Sequence, residues 1–526
     1  MRFAQNKIES LGHGLFGFIS NNAFLDNPTF RGLRRSLLKC YDELYILNLH
    51  GNARKKEETP QGAKDENIFN IMQGVSINLF VKKAQTTKQK IHYYDVYGES
   101  AEKYAFLAQN DLNSIEWLEI APREPFYLLI PQETSLLDEY EQGFSVKDMF
   151  QVGGTGICSK RDHVVFHKTK ESLLKLLKDF STLEPSELRR KYDIKDTEGW
   201  KLGRAIENVK KNQHELEKYI VWCQYRPFDY RWTYYTDKSC GFLARPVYDV
   251  FKHMLPPPTN PKTPNQTRKN VALITSRRFC QSQKSGVGFV SNKISDLRTW
   301  TCPGMEGGDY VNPLYHNPNY TENFTPEFRS FIDKHYNHSF EPLEILGYIY
   351  ALLYSPNYRK RYEEFLKADY PKILFTKNKD LFRALSLLGI ELIGLHVLNQ
   401  ESLNYSFEKL KDATTGESYY IEEHERNPII KKPFHNEQRL YINHSAYFSG
   451  VSQEIYDYRI GGYCVLDKYL KGHKNEPCDF DHVTRIIKII ARTIEIQKTL
   501  GFLTSDLPHL KGNDSKALMQ EILQNP

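Results

Sequence analysis

Apolar positions change their rhythm along the chain, and each rhythm predicts a kind of element. Residues 14–20 (Gly-Leu-Phe-Gly-Phe-Ile-Ser) read as a short buried strand ending in polar Asn21 and Asn22. Phe30, Leu33 and Leu37 then share one helical face, with Arg31, Arg34, Arg35 and Lys39 largely elsewhere, which predicts a helix over 29–40. Glu43 to Leu49 returns as a strand, and residues 51–67 form a charged loop containing Gly and Pro. Gly74 to Lys82 is a third strand, with Lys90 to Tyr97 as its expected hairpin partner. This order is α/β, and it makes only part of a sheet, whose open edges need something to pack against.

Residues 98–220 mix helices and loops, the clearest helices being Ser172 to Phe180 and Gly203 to Tyr219. From Ile220 to about Tyr315, aromatic and branched residues broken by Gly and Pro predict β-structure, with an exposed proline-rich connection at 256–264 and a long loop at 303–325. Thereafter the pattern is mainly helical. Leu343, Leu346, Tyr350 and Leu353 form one stripe, and Val483, Ile486, Ile490 and Ile494 form another, both read as core faces. These shifts divide the chain at 1–97, 98–220, 221–330 and 331–526, giving an α/β and α+β fold class.

Composition narrows this little. With 40% hydrophobic and 26% charged residues in 526, the chain is ordinary globular protein, and its net charge of +6 is compatible with a polyanionic partner. No two of the eight cysteines are two or three residues apart, which excludes zinc knuckles and thioredoxin-like pairs and suits free thiols in a reducing cytoplasm. The longest apolar runs, around Leu346 to Leu353 and Ile486 to Ile490, fall short of the roughly 20 residues of a membrane span. A cytoplasmic protein without a membrane partner or a metal is expected.

One cofactor pattern occurs by letter, and one catalytic signature is approached but not met. Gly12-His13-Gly14-Leu15-Phe16-Gly17 matches G-x-G-x-x-G, yet its glycines lead into a strand instead of a helix, so the ligand-facing N–H groups of a cofactor loop are not set up. Asn312-Pro313-Leu314-Tyr315, Asn317-Pro318-Asn319-Tyr320 and Ser355-Pro356-Asn357-Tyr358 approach the Asn-Pro-Pro-aromatic signature of amino-methyltransferases, but each lacks the second proline. They read as turns. Neither a nucleophile–base arrangement nor a phosphate loop is found, and no catalytic residue is assigned.

Several segments, in order, resemble the C-terminal half of type ISP restriction–modification enzymes, which join helicase, adenine-N6 methyltransferase and target-recognition domains. Residues 17–22, 28–34, 45–52 and 74–83 match the late methyltransferase motifs; 225–231, 243–246, 273–277, 289–296, 355–359 and 458–463 match the specificity domain. The resemblance implies a partial Rossmann-like methyltransferase sheet over 1–97, followed by a mixed β and helical DNA target-recognition domain. It implies double-stranded DNA as partner, and S-adenosylmethionine as cofactor of the complete enzyme but not of this chain. Only 16 residues precede Gly17, so the donor loop and Asn-Pro-Pro-Tyr motif are expected on a separate polypeptide or lost by truncation.

On that footing the expected function is sequence-specific DNA recognition, incomplete for catalysis. Its alternatives are an adenine-specific methyltransferase reconstituted with a separately encoded N-terminal half, and a remnant that binds no DNA. Arg277, Arg278, Gln283, Lys284, Asn292 and Arg298 have the side chains that read base edges, Arg for guanine and Asn or Gln for adenine. Phe69 reads first as a core position and second as a ring flanking a flipped adenine. Arg226, Asp229 and Arg231 read as structural ion pairing.

Overall fold

A helix that the apolar spacing does not announce, α1 (Arg2–Leu11), opens the chain; Gln5 and Ile8 are its buried side, and Gly12 ends it at φ 77°. The computed structural model describes all residues except 54–56, 86–87, 125, 132–135, 256–269, 278–286, 301–307, 317–318, 412–414, 417–418, 421–426, 506–512 and 525–526. Two units emerge: Met1–Leu137 with Lys367–Asp369, and Asp138–Leu366 with Tyr370–Pro526.

In the first unit β1 (Gly14–Asn21) is half a core strand. Phe16 and Phe18 face Phe80, with ring centroids 6.5 and 5.3 Å away, while Leu15 and Ile19 point outward and are exposed. The expectation of a buried strand thus fails for alternate residues, because side chains along a strand alternate between faces and only one face here is covered. α2 (Arg31–Cys40) buries Leu37 and Cys40, and also Arg34. Contrary to its expected place off the apolar face, Arg34 spends its donors on the carbonyls of Phe24, Asn27 and Phe126 at 2.7–2.9 Å, pinning two loops to the helix.

Three strands follow: β2 (Glu43–Asn48), β3 (Val75–Lys82) and β4 (Lys90–Asp95). After α3 (Ser100–Gln109) comes β5 (Leu118–Glu119), and the sheet order is β1–β3–β2–β4–β5. β3 runs antiparallel to both β1 and β2, whereas β4 lies parallel to β2. The expected β3–β4 hairpin does not form: both edges of β3 are already occupied, so the next strand pairs beyond β2. β1 ends the sheet and pairs with β3 alone among the described strands.

The second unit contains β6 (Gly154–Thr155), α4 (Lys170–Thr182), α5 (Leu202–Lys211), β7 (Ile220–Arg226), β8 (Asp229–Tyr234), β9 (Ala272–Thr275), β10 (Phe289–Ser291), β11 (Ile294–Ser295) and β12 (Tyr310–Pro313). The strands form two small sheets, ordered β10–β9–β12–β6 and β11–β7–β8. The helical core comprises α6 (Pro342–Tyr354), α7 (Lys379–His396) and α8 (Phe480–Leu503). α6 and α7 cross at Gly347 and Gly389, so closely that a methyl on Gly389 would sit 1.8 Å from the Gly347 carbonyl oxygen. The helical run is interrupted by a sheet that the sequence pattern does not reveal: β13 (Tyr419–Tyr420), β14 (Phe434–Asn436), β15 (Arg439–Tyr441) and β16 (Tyr447–Phe448), ordered β13–β16–β15–β14. Strands of two or three residues leave no alternation to read. Mixed α/β with several small sheets describes the whole, and no single helix among the described residues is long and apolar enough to cross a membrane.

Candidate nucleic-acid interface

The C-terminal end of β2 gathers most of the buried polar chemistry of the first unit. His50, in a left-handed conformation at φ 51°, follows Asn48 and Leu49. Its Nδ1 donates to Glu57 Oε1 at 2.8 Å and its Nε2 to Asp95 Oδ1 at 2.6 Å, while Tyr97 stacks on the ring at 3.9 Å. Burial alone would depress the imidazole pKa, but hydrogen bonds and charge from the two carboxylates outweigh it and lift it to about 9. His50 is therefore an imidazolium at neutral pH. It ties the end of β4 to the loop that leaves β2.

That loop is fixed a second time. Lys103 of α3 is wholly buried and donates to Asp65 Oδ2 at 2.9 Å, Leu49 O at 2.7 Å and Glu66 O at 2.6 Å. Asp65 in turn accepts from the backbone N–H of Gly51 at 2.6 Å and of Gly98 at 2.8 Å. Gly51 stands at φ 79°, and a Cβ there would lie 2.4 Å from Asn67 Cα, so no other residue fits. The Asn67 side chain bridges Gly51 O and Gln73 O at 3.0 and 2.6 Å and accepts from Phe69 N–H at 2.8 Å. Carried on this braced turn, Phe69, Ile71 and Met72 are 42%, 46% and 53% exposed. Phe69 thus lies outside the core that its apolar sequence context suggests. A cavity of about 420 Å³ opens beside it, lined by Gly51, Asp65, Asn67, Phe69, Ile71 and Ser100.

In the second unit the expected base readers separate. Arg277 follows β9, half-buried, at the Thr275 end of the strand. Arg298 belongs with it: Asp309 N–H donates to Leu297 O at 2.8 Å, and the next residue, Tyr310, pairs with Thr275. Asn292 sits at the opposite end, where β10 finishes beside Ala272, and its amide reaches Val397 O at the end of α7 at 3.4 Å. Arg278, Gln283 and Lys284 lie outside the described residues. The structure therefore brings Arg277 and Arg298 to one end of a sheet and leaves Asn292 at the other.

The arginines read as structural do pair, with one change of partner. Arg231 binds Asp229 at 2.7 Å, whereas Arg226 binds Asp296 at 2.7 Å and lies over the Tyr225 ring at 3.8 Å. Burial pushes the Asp296 carboxyl up to about 6 against the pull of Arg226. Of the three four-residue segments that approach the methyltransferase signature, Asn312-Pro313 ends β12, and Ser355 caps a helical turn by accepting from Tyr358 N–H at 3.3 Å. Asn317 and Pro318 lie outside the described residues. Gly12 and Gly14 form a helix–turn–strand junction in which the Gly12 N–H is spent on Ile8 O at 2.9 Å. These residues do not fit a methyl-donor loop. Among the described residues no group of three His, Cys, Asp or Glu could hold a metal ion.

Sequence pattern had no means of flagging His50, Lys103 or Asp65, since each is an ordinary charged residue until the fold buries it. With this geometry in place, comparison with solved structures finds the same fold over 97% of the chain. The ATP-dependent Type ISP restriction-modification enzyme LlaBIII bound to DNA matches at TM-score 0.70 and 22% identity. A DrdV–DNA complex matches at 0.65 and 21%, and a nuclease-deletion mutant of the Type ISP enzyme LlaGI with a DNA substrate mimic at 0.65 and 20%. The chain spans 34%, 52% and 47% of those proteins, respectively. No curated protein matches. At the level of fold, then, the molecule is similar to the C-terminal region of restriction–modification enzymes. Residues 148–499 match the Type ISP C-terminal specificity domain, and the chain belongs to that family.

Proposed function

We propose that this protein is the DNA target-recognition part of a Type ISP adenine-N6 restriction–modification methyltransferase. The observation that carries the reading is the specificity-domain match over 148–499; the three similar structures named above, each with DNA or a DNA mimic, support it. Arg277 and Arg298 then reach base edges from one sheet end, with Arg278, Gln283 and Lys284 on the segment between β9 and β10, while lysines and other arginines neutralise phosphates. Asn292, engaged at Val397, is left to brace α7. Phe69 flanks an extruded adenine, held in place by Asn67 and the Lys103–Asp65 pair.

Selection from a random duplex library, followed by anisotropy titration at two salt concentrations, tests this. One enriched sequence is expected, with affinity falling about 10³-fold between 50 and 200 mM salt if six phosphates are contacted. Binding without sequence preference overturns it.

A second reading, favoured by the single pairing of β1, adds a separate polypeptide carrying the donor-binding half of the methyltransferase. That partner would extend the sheet from β1 and lay a further element over the face that exposes Leu15 and Ile19. Methyl incorporation into duplex DNA from S-adenosylmethionine is expected only when both polypeptides are present. Incorporation by this chain alone refutes it.

A further inference from the structure

The outer face of the small sheet β13–β16–β15–β14 carries a row of rings that the duplex-reading function leaves unused. Register sets Phe434 opposite Tyr441, Tyr441 opposite Tyr447 and Tyr447 opposite Tyr420, one ring from each strand. Successive ring centroids are 4.5, 5.1 and 5.3 Å apart, and Phe434 and Tyr441 are within 2° of parallel. The intervening side chains Leu440 and Phe448 point the other way and are fully buried, Phe448 packing 5.1 Å from Phe480 of α8. One face of this sheet therefore packs inward through Leu440 and Phe448, with Tyr419 at its margin still 48% exposed, and the other holds the row of four rings. The row ends in two rings that stay 44% (Phe434) and 49% (Tyr420) exposed.

Cross-strand aromatic pairs also stabilise sheets, but that role does not require the end rings to stay open, nor does it explain the charges around them. The Arg439 guanidinium lies 4.8 Å from the centre of the Tyr447 ring. Exposed Lys431 and Lys432 precede β14, and Lys431 N–H donates to Ile442 O at 2.9 Å beside β15. Over residues 427–448, the β14–β15 side of the sheet, these three cations stand with a single carboxylate, Glu437, in the turn, whereas the sequence after β13 holds Glu422, Glu423 and Glu425 with Arg426. Stacked rings with open ends, bordered by cations on the β14–β15 side, match a ligand that is planar, π-faced and anionic along that side. A paired duplex hides its base faces, and a neutral sugar has no use for the cations. Unpaired bases on a phosphate backbone satisfy both.

We infer that Phe434, Tyr441, Tyr447 and Tyr420 form a stacking site for single-stranded nucleic acid, with Arg439, Lys431 and Lys432 along its phosphates. The inference does not depend on duplex recognition by the other sheets. Its test is fluorescence anisotropy of the full chain with a labelled 12-residue oligodeoxythymidylate, against an abasic oligomer of the same length. The abasic oligomer should bind at least 5-fold more weakly, and Phe434→Leu and Tyr420→Leu should each weaken the thymidylate roughly 5- to 100-fold. Duplex affinity should be unchanged in the same variants. Equal binding of the two oligomers, wild-type behaviour of both variants, or no binding overturns the inference. So does a self-association, seen by light scattering, that the variants abolish while leaving oligomer binding intact. Should the variants misfold by circular dichroism, photocrosslinking of the wild-type chain to a 5-bromodeoxyuridine oligomer decides: adducts at the four rings support the site, and adducts elsewhere refute it.

Discussion

Removing the charge on His50 should make the first unit's stability insensitive to alkaline pH. The imidazolium bridges Glu57 and Asp95 with its side chain only 9% exposed, and its pKa is about 9 instead of the ordinary 6.5. A proton held that much more tightly in the folded state is worth about 3 kcal/mol. Because the folded pKa is the higher one, this stability is fully present below pH 6.5, declines as pH rises, and is gone above about 9. His50→Gln keeps a hydrogen-bonding side chain but removes the imidazolium charge between the two carboxylates. Amide exchange in β2 and β4, corrected for intrinsic rates, isolates this unit from the rest of the chain. The wild type should exceed the variant by about 3 kcal/mol at pH 6, with the gap closing towards pH 9.5. A gap that stays constant across that range refutes the reasoning, as does a ¹³C-detected His50 titration with its midpoint below 7.

Three further outcomes are expected. Lys103→Met should cost about 3–5 kcal/mol, since it strands a buried Asp65, and amide exchange across 65–73 should rise with it. Gly389→Ala should lower the thermal midpoint of the second unit, by about 3 kcal/mol of overpacking against Gly347, despite alanine's better helix propensity. Replacing Glu437-Gln438, both at positive φ (47° and 60°), by Asn-Gly should stabilise the β14–β15 hairpin by about 1 kcal/mol, because that pair suits a type I′ turn. Urea unfolding of the double variant checks it.

Strands with long runs of branched and aromatic residues were legible: 75–82 and 43–48 stand within a residue or so of where the pattern puts them. Pairing was less so. That β4 joins β2 and not β3 depends on which edges are free, a fact of the assembled sheet. Arg34 carries the same side chain as Arg31 and Arg35, and only the arrival of Phe126 and the 24–27 turn turns it from a surface cation into a buried clamp. Arg277 and Arg298 are 21 positions apart and reach one sheet end through the pairing of Thr275 with Tyr310, whereas Asn292 lies nearer in sequence and at the far end. Sequence proximity and spatial proximity part company there because an antiparallel turn reverses direction within a few residues.

The first strand has a practical corollary. From Gly14 to Asn21 it carries no lysine and no proline, the residues that keep strangers from zipping onto an open β-rim. Two molecules meeting along that rim would pair their outward amides and carbonyls and set a second Leu15 and Ile19 beside the first. Concentrated stocks should therefore be reversible mixtures of sizes, and a binding isotherm taken from them would report the protein's affinity for itself as well as for its ligand.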